Sequence, residues 1–175
     1  MIPSSASQTV AEAGELPAAP GAYLLVIDLL TPLTATLPGR PPATLEEGRY
    51  LYMGSARGPG GIRARTGRHL KGAKTVRWHV DRLTNLAGAA AVIAYPDGNE
   101  CALTAAALAL PGASVPAPGF GSSDCPRCPA HLVRIPESLA IEDLPGLLPG
   151  PAPAVIWRRP PVACFWLPPP RTPAP

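Results

Sequence analysis

The stretch YLYMGSARGPGGIRARTGRHL, residues 50–70, changes character twice along its length. It begins as an aromatic and aliphatic run, which reads as a strand with Tyr50 and Tyr52 on one face and Leu51 and Met53 on the other. Glycines at 54, 58, 60 and 61 interrupt it. Ile62, Arg65 and His69 then recur at i, i+3 and i+7, one stripe of a helix. Strand, glycine loop and helix together let an anion approach a helix N-terminus. The loop matches neither G-x-x-x-x-G-K-[ST] nor G-x-G-x-x-G, so an ATP or dinucleotide site is not supported. The expectation is instead a phosphodiester held by free backbone N–H groups at the start of the helix, with Arg63 and Arg65 beside it.

The charge distribution points the same way. Residues 57–82 hold eight Lys or Arg against a single acid, Asp81, while the remainder of the chain is net acidic and the whole carries a formal charge of +3. A basic segment on an acidic chain is the electrostatic footprint of a polyanion partner. Arg57, Arg63, Arg68, Lys71, Lys74 and Arg77 are the candidate nucleic-acid contacts. The alternative is a solvated helix face.

Working outward, residues 21–30 (GAYLLVIDLL) read as a first strand, joined to the second by a Pro-rich connector over residues 31–48. A second helix is predicted around residues 75–86, with Val76, Val80 and Leu83 as its apolar stripe. Residues 89–96 form a third strand, Asp97-Gly98 a turn, and Asn99 the cap of a third helix that is apolar nearly all round. A glycine- and cysteine-rich loop at 119–135 leads into a short strand. The order β-β-α-α-β-α predicts a small α/β or α+β fold. The 175 residues divide into a disordered lead (1–19), one domain (20–143) and a Pro-rich tail (144–175) carrying Trp157, Phe165 and Trp166. The N-terminus lacks the basic and apolar regions of a signal peptide, no apolar run is long enough to span a bilayer, and four cysteines in such a chain suit a reducing compartment. The expectation is a cytoplasmic protein that does not engage a membrane.

Gly21-Ala22-Tyr23 and Tyr52-Met53-Gly54 resemble the two halves of the GIY-YIG nuclease signature. The resemblance extends through residues 20–135 and is nearest to the DUF123 branch, which is sometimes fused to endonuclease III-like DNA glycosylases. It rests on four segments in order: GSA-x-G-x-GG-I-x-x-R-x-x-RHL, WHVD, an E-C pair opening a helix, and GFGSSDC followed by C and HL. GIY is GAY here and YIG is YMG, and the connector between the halves is long. The resemblance implies a three-stranded antiparallel sheet flanked by helices, and metal-dependent hydrolysis of DNA, with DNA repair as a setting. Tyr23, Tyr52, Arg65 and His69 would be the catalytic residues, and Glu100 would hold Mg²⁺ or Mn²⁺. Tyr23 is the candidate general base, its pKa of ~10 to be lowered by an arginine and a metal, and His69 is the rival base. Half-buried sheet tyrosines, a helix-capping histidine and a glutamate favoured by the helix dipole are the structural alternatives.

The cysteines give a separate reading. Cys125-x-x-Cys128-x-x-His131, with Cys101 as a fourth ligand across the fold, has the composition of a zinc site. Buried thiols in a tight loop are the alternative. Three functions therefore stand beside one another: a DNA endonuclease, a non-catalytic nucleic-acid-binding module on the same fold, and a zinc-stabilised interaction domain with a Pro-rich docking tail.

Overall fold

The computed structural model describes residues 9–11, 15–148, 150–152 and 154–160. Two long strands, β2 (Gly21–Leu29) and β5 (Gly48–Ala56), pair antiparallel over their whole length, Tyr23 opposite Gly54 and Leu25 opposite Tyr52. The connector between them folds into a short two-stranded ribbon, β3 (Leu33–Ala35) with β4 (Ala43–Leu45). β6 (Ala91–Pro96) flanks β2, and β7 (Leu132–Ile135) flanks β5, both antiparallel.

The small three-stranded sheet expected from the sequence is thus incorrect: the sheet has six strands in the order β1-β8-β6-β2-β5-β7, five of them antiparallel. β8 (Val155–Arg158) pairs with β6, and β1 (Thr9–Ala11) runs parallel to β8. Both of these strands come from segments that composition assigns to tails. Proline density obscures VIWR, four residues of ordinary strand character. The residues of the tail beyond 160, Phe165 and Trp166 among them, lie outside the described residues.

Both faces of the sheet are covered, which is why GAYLLVIDL is apolar throughout rather than alternating. Tyr23, Leu25, Ile27, Tyr50 and Tyr52 face α1 (Gly61–Leu70) and α2 (His79–Leu86). Ala22, Leu24, Val26, Leu51 and Met53 face α3 (Glu100–Leu108) and α4 (Leu144–Leu147).

The glycine loop has another use than the one expected. Gly60 (φ 77°) and Gly61 (φ 53°) are left-handed, and a Cβ on Gly61 would lie 2.1 Å from the carbonyl oxygen of Ala18. That close approach lets Ile62 N–H donate to Ala19 O (3.0 Å) and Arg63 N–H to Pro17 O (2.9 Å). Gly61 and Ala64 N–H donate to Gly58 and Gly60 carbonyls. The first turn of α1 therefore has its donors satisfied within the chain and is no anion cradle. The same contacts order residues 15–19, with Leu16 fully buried, so this part of the expected disordered lead is built into the domain.

α2 also starts later than the apolar stripe suggests. The Asp81 carboxylate accepts the backbone N–H groups of Arg77 (2.8 Å) and Trp78 (3.0 Å), which holds that segment out of the helix and leaves Val76 exposed. α3 begins as read: the Asn99 side chain accepts from Cys101 N–H (2.9 Å) and Ala102 N–H (3.0 Å). Its Ala102 and Ala105 are exposed, so only one side of that apolar helix is buried.

Candidate active site

A cavity of about 470 Å³ opens between the sheet, α1, α2 and the N-terminus of α3. Tyr23 from β2, Tyr52 from β5, Arg65 from α1 and Glu100 from α3 all line it. Tyr23 and Tyr52 are diagonal neighbours on one face of the sheet, as the register requires. The Tyr23 ring lies directly over Gly54: a Cβ there would stand 2.2 Å from its Cζ. Glycine at the end of the Tyr-Met-Gly triplet is what leaves room for the first tyrosine.

His69 lies behind Tyr23 and is buried. Its Nε2 is 2.9 Å from the Tyr23 hydroxyl, and its Nδ1 faces Asp81 Oδ1 at 3.6 Å with no hydrogen-bond partner. A proton on Nδ1 points at the carboxylate, so Nε2 is the acceptor and Tyr23 the donor. Asp81 is fully buried and paired with Arg68 through two bonds of 2.8 and 2.9 Å. Burial alone would raise its pKa, but Arg68 and the backbone N–H groups of Arg77 and Trp78 outweigh burial and hold it at about 2.

Without a metal, burial dominates: it pushes Tyr23 well above its usual value, with Tyr52 and Asp81 adding, while Arg65 and Arg68 lower it, as the sequence leads one to expect of an arginine. Burial also pushes Tyr52 up to about 12. Both phenols are neutral at rest in the protein as it stands. His69 is drawn down to about 4, chiefly by burial, with Asp81 opposing and Lys74, Arg68 and Arg65 contributing.

Arg65 is held on two sides. Its Nε donates to Ser55 O at 3.2 Å, and its guanidinium lies 4.4 Å from the Trp78 ring centroid. Arg68 lies 4.1 Å from the same ring. Trp78 is thus occupied by two arginines rather than offered to a base. Glu100 Oε2 is buried with no hydrogen-bond partner among the described residues.

The basic set divides. Arg57, Arg63, Lys71 and Arg77 are exposed. Arg68 is consumed by Asp81, and Arg63 donates through Nε to Leu16 O (2.6 Å). Lys74 Nζ bonds the carbonyls of His69 and Lys71 and the side chains of Thr84 and Asn85. Charge counting alone does not separate cations that face solvent from those that hold the helices together.

A family model described as "Domain of unknown function DUF123" matches residues 22–145. The chain belongs to the DUF123 family. No curated protein and no solved structure matches it. The matched span of the DUF123 domain includes every residue of the cavity named above. It also includes a second group, Cys101, Cys125, Cys128 and His131, whose ligand atoms all lie within 4.8 Å of one another and can hold a metal ion. No helix among the described residues is long and apolar enough to cross a membrane.

Asp81 is the residue the sequence analysis leaves without a role. The signal for Asp81 was present: a lone acid among eight bases is a natural counter-ion. His79, in the same segment, accepts from Gly121 N–H through Nδ1 at 3.4 Å and so holds the cysteine-rich loop against α2.

Buried His69 makes the DUF123 fold sensitive to acid. Facing it are Tyr23, Tyr52, Arg65, Arg68, Lys74 and Asp81. Between pH 6.5 and about 4 the unfolded chain binds a proton on this histidine that the folded chain does not. Stability therefore rises with pH across that window and falls as pH is lowered through it, by about 3 kcal/mol in all. Asp81, whose pKa is depressed on folding, adds a further loss only below about 3.8. Chemical denaturation at a series of pH values should show the first decline in the wild type and not in His69→Gln. An equal decline in both would assign it elsewhere.

Proposed function

We propose that this DUF123 domain is a GIY-YIG-type endonuclease that hydrolyses phosphodiester bonds in DNA with the help of a divalent metal. The observation that carries this reading is convergence: Tyr23, Tyr52, Arg65 and Glu100 come from four separate elements to one cavity, with His69 bonded behind Tyr23. Ordinary packing supplies no reason for a carboxylate oxygen to be buried there without a donor, an arrangement that costs free energy. A hard cation relieves it, and Mg²⁺ or Mn²⁺, which bind through few carboxylates, fit Glu100. Bound there, the cation would supply positive charge against the phosphate.

The remaining work falls to side chains. Arg65, propped by Trp78 and the Ser55 carbonyl, presents its guanidinium to the phosphate. In the metal-free protein burial holds Tyr23 protonated. Tyr23 and His69 form a relay. The attacking water gives its proton to the Tyr23 oxygen as Tyr23 passes its own to Nε2 of His69. The resulting imidazolium faces Asp81. The water oxygen bonds to phosphorus, the bond to the leaving oxygen breaks, and that oxygen is protonated from solvent. His69 is neutral above about pH 4, so its acceptor is free at any working pH.

The test is an assay of the purified chain on plasmid, nicked and branched DNA with Mg²⁺ or Mn²⁺, alongside binding at several salt concentrations. Cleavage that needs both the metal and Arg65 is the expected result. Arg57, Arg63, Arg65, Lys71 and Arg77 are the cations left for phosphates, so log affinity should fall against log salt with a slope of roughly −3 to −5. Salt-dependent binding without cleavage by the wild type would favour the non-catalytic module. The absence of both would remove nucleic acid altogether.

A further inference from the structure

The four metal-ligating side chains outside the Glu100 site are brought together by backbone that does little else. Asn99 fixes Cys101 at the start of α3. The loop carrying the other three is closed at its neck by Gly119 N–H to Pro129 O (2.6 Å) and His131 N–H to Phe120 O (2.8 Å). Cys125 N–H donates to Ser122 O, and Met53 N–H donates to His131 O, which ties the end of the loop to β5. Within this frame the Cys101 and Cys125 sulfurs are 3.5 Å apart, and Cys101 Sγ is 4.0 Å from His131 Nε2. Ligands held tetrahedrally at a Zn–S distance of ~2.3 Å sit about 3.8 Å from one another. These two separations lie on either side of that length, and none of the four ligand atoms is more than 4.8 Å from another.

We propose that Cys101, Cys125, Cys128 and His131 bind one Zn²⁺ in a closed tetrahedral site, and that the ion fastens the 119–131 loop to the N-terminus of α3. Four protein ligands leave no open position, which makes the site structural. Thiolate and imidazole select zinc over the magnesium proposed next door. The fastening has a consequence for the cavity. Glu100 immediately precedes one ligand, Asp124 precedes another, and His131 itself lines the cavity wall. The zinc holds both sides of that opening at a fixed distance. Zinc binding stands on its own geometry, whereas its value to Glu100 rests on the nuclease reading.

The protein purified under reducing conditions should contain one zinc per chain by elemental analysis. After stripping, it should bind one Co²⁺ with the strong visible absorption and thiolate charge-transfer bands of a tetrahedral sulfur-rich site. Removing the zinc should lower Tm by about 10 °C, as expected when the free ion exceeds Kd a thousandfold. Cys128→Ser should weaken zinc binding more than ~100-fold, beyond the loss typical of an outer-sphere change. Should that variant fail to fold, the wild-type cobalt spectrum decides alone. A zinc-free protein with a weak octahedral cobalt spectrum overturns the proposal. So does a thiol count two short of four under non-reducing conditions, which would mean a disulfide. Neither readout depends on DNA cleavage, so the zinc site and the nuclease can fail separately.

Discussion

Glu100→Gln should abolish metal-dependent cleavage while leaving the fold and DNA affinity in place. The substitution keeps the size of the side chain and one hydrogen-bonding oxygen, and it removes the charge that would hold Mg²⁺. If Glu100 served only the helix dipole, its loss would cost ~0.3–1 kcal/mol and no activity. The structure sharpens the contrast, because the buried Oε2 has no donor to lose. Glutamine removes a buried charge without breaking a hydrogen bond, so Tm should hold or rise. DNA binding should hold or tighten as an anion leaves the phosphate site. Thermal melting and cleavage measured on one preparation decide the matter. Wild-type turnover at unchanged metal requirement would sink the one-metal mechanism.

Tyr23→Phe should reduce cleavage by about 10²- to 10⁴-fold, the usual range for removing a general acid–base group. The ring and its packing over Gly54 remain, while the hydroxyl that donates to His69 is lost. The relay then lacks its first member, and Nε2 of His69 is left buried without its donor, at a cost of about 1–3 kcal/mol in stability. Tyr52→Phe provides the internal comparison. Tyr52 lines the same cavity but contacts His69 only through its ring, at a centroid distance of 6.3 Å, so the loss should be smaller. Equal losses, or none for Tyr23→Phe, would place the base elsewhere.

The core elements were legible in the sequence because their signals are local. GAYLLVIDLL and RYLYMGS announce two strands, and Asn99 before a run of alanines announces a capped helix. The sheet was underestimated because its outer strands depend on long-range pairing. VIWR sits among prolines, and Thr9–Ala11 acquires a partner only across the fold. The glycine loop was misread for a related reason. Its glycines suggested an approaching ligand, but what approaches is the chain's own segment at residues 17–19, which no local pattern reveals. At the candidate site, the resemblance singled out Tyr23, Tyr52, Arg65, His69 and Glu100, and the structure brings four of them to one cavity with His69 against Tyr23. The direction of the tyrosine pKa shifts was not legible, because burial depends on what packs above the sheet. The division of the cations into structural and exposed was hidden for the same reason.

Asp81 accepts two backbone N–H groups that set the start of α2, neutralises Arg68 and backs His69. Under relaxed selection it and Glu100 should therefore drift at different rates. A descendant that gave up turnover would still need Asp81 to fold, and Arg68 would persist with it. Glu100 Oε2 accepts from nothing among the described residues. This is the position at which inactive descendants should first diverge, so the presence of the Asp–Arg pair in a relative is a mark of ancestry, and the presence of the glutamate is a mark of use.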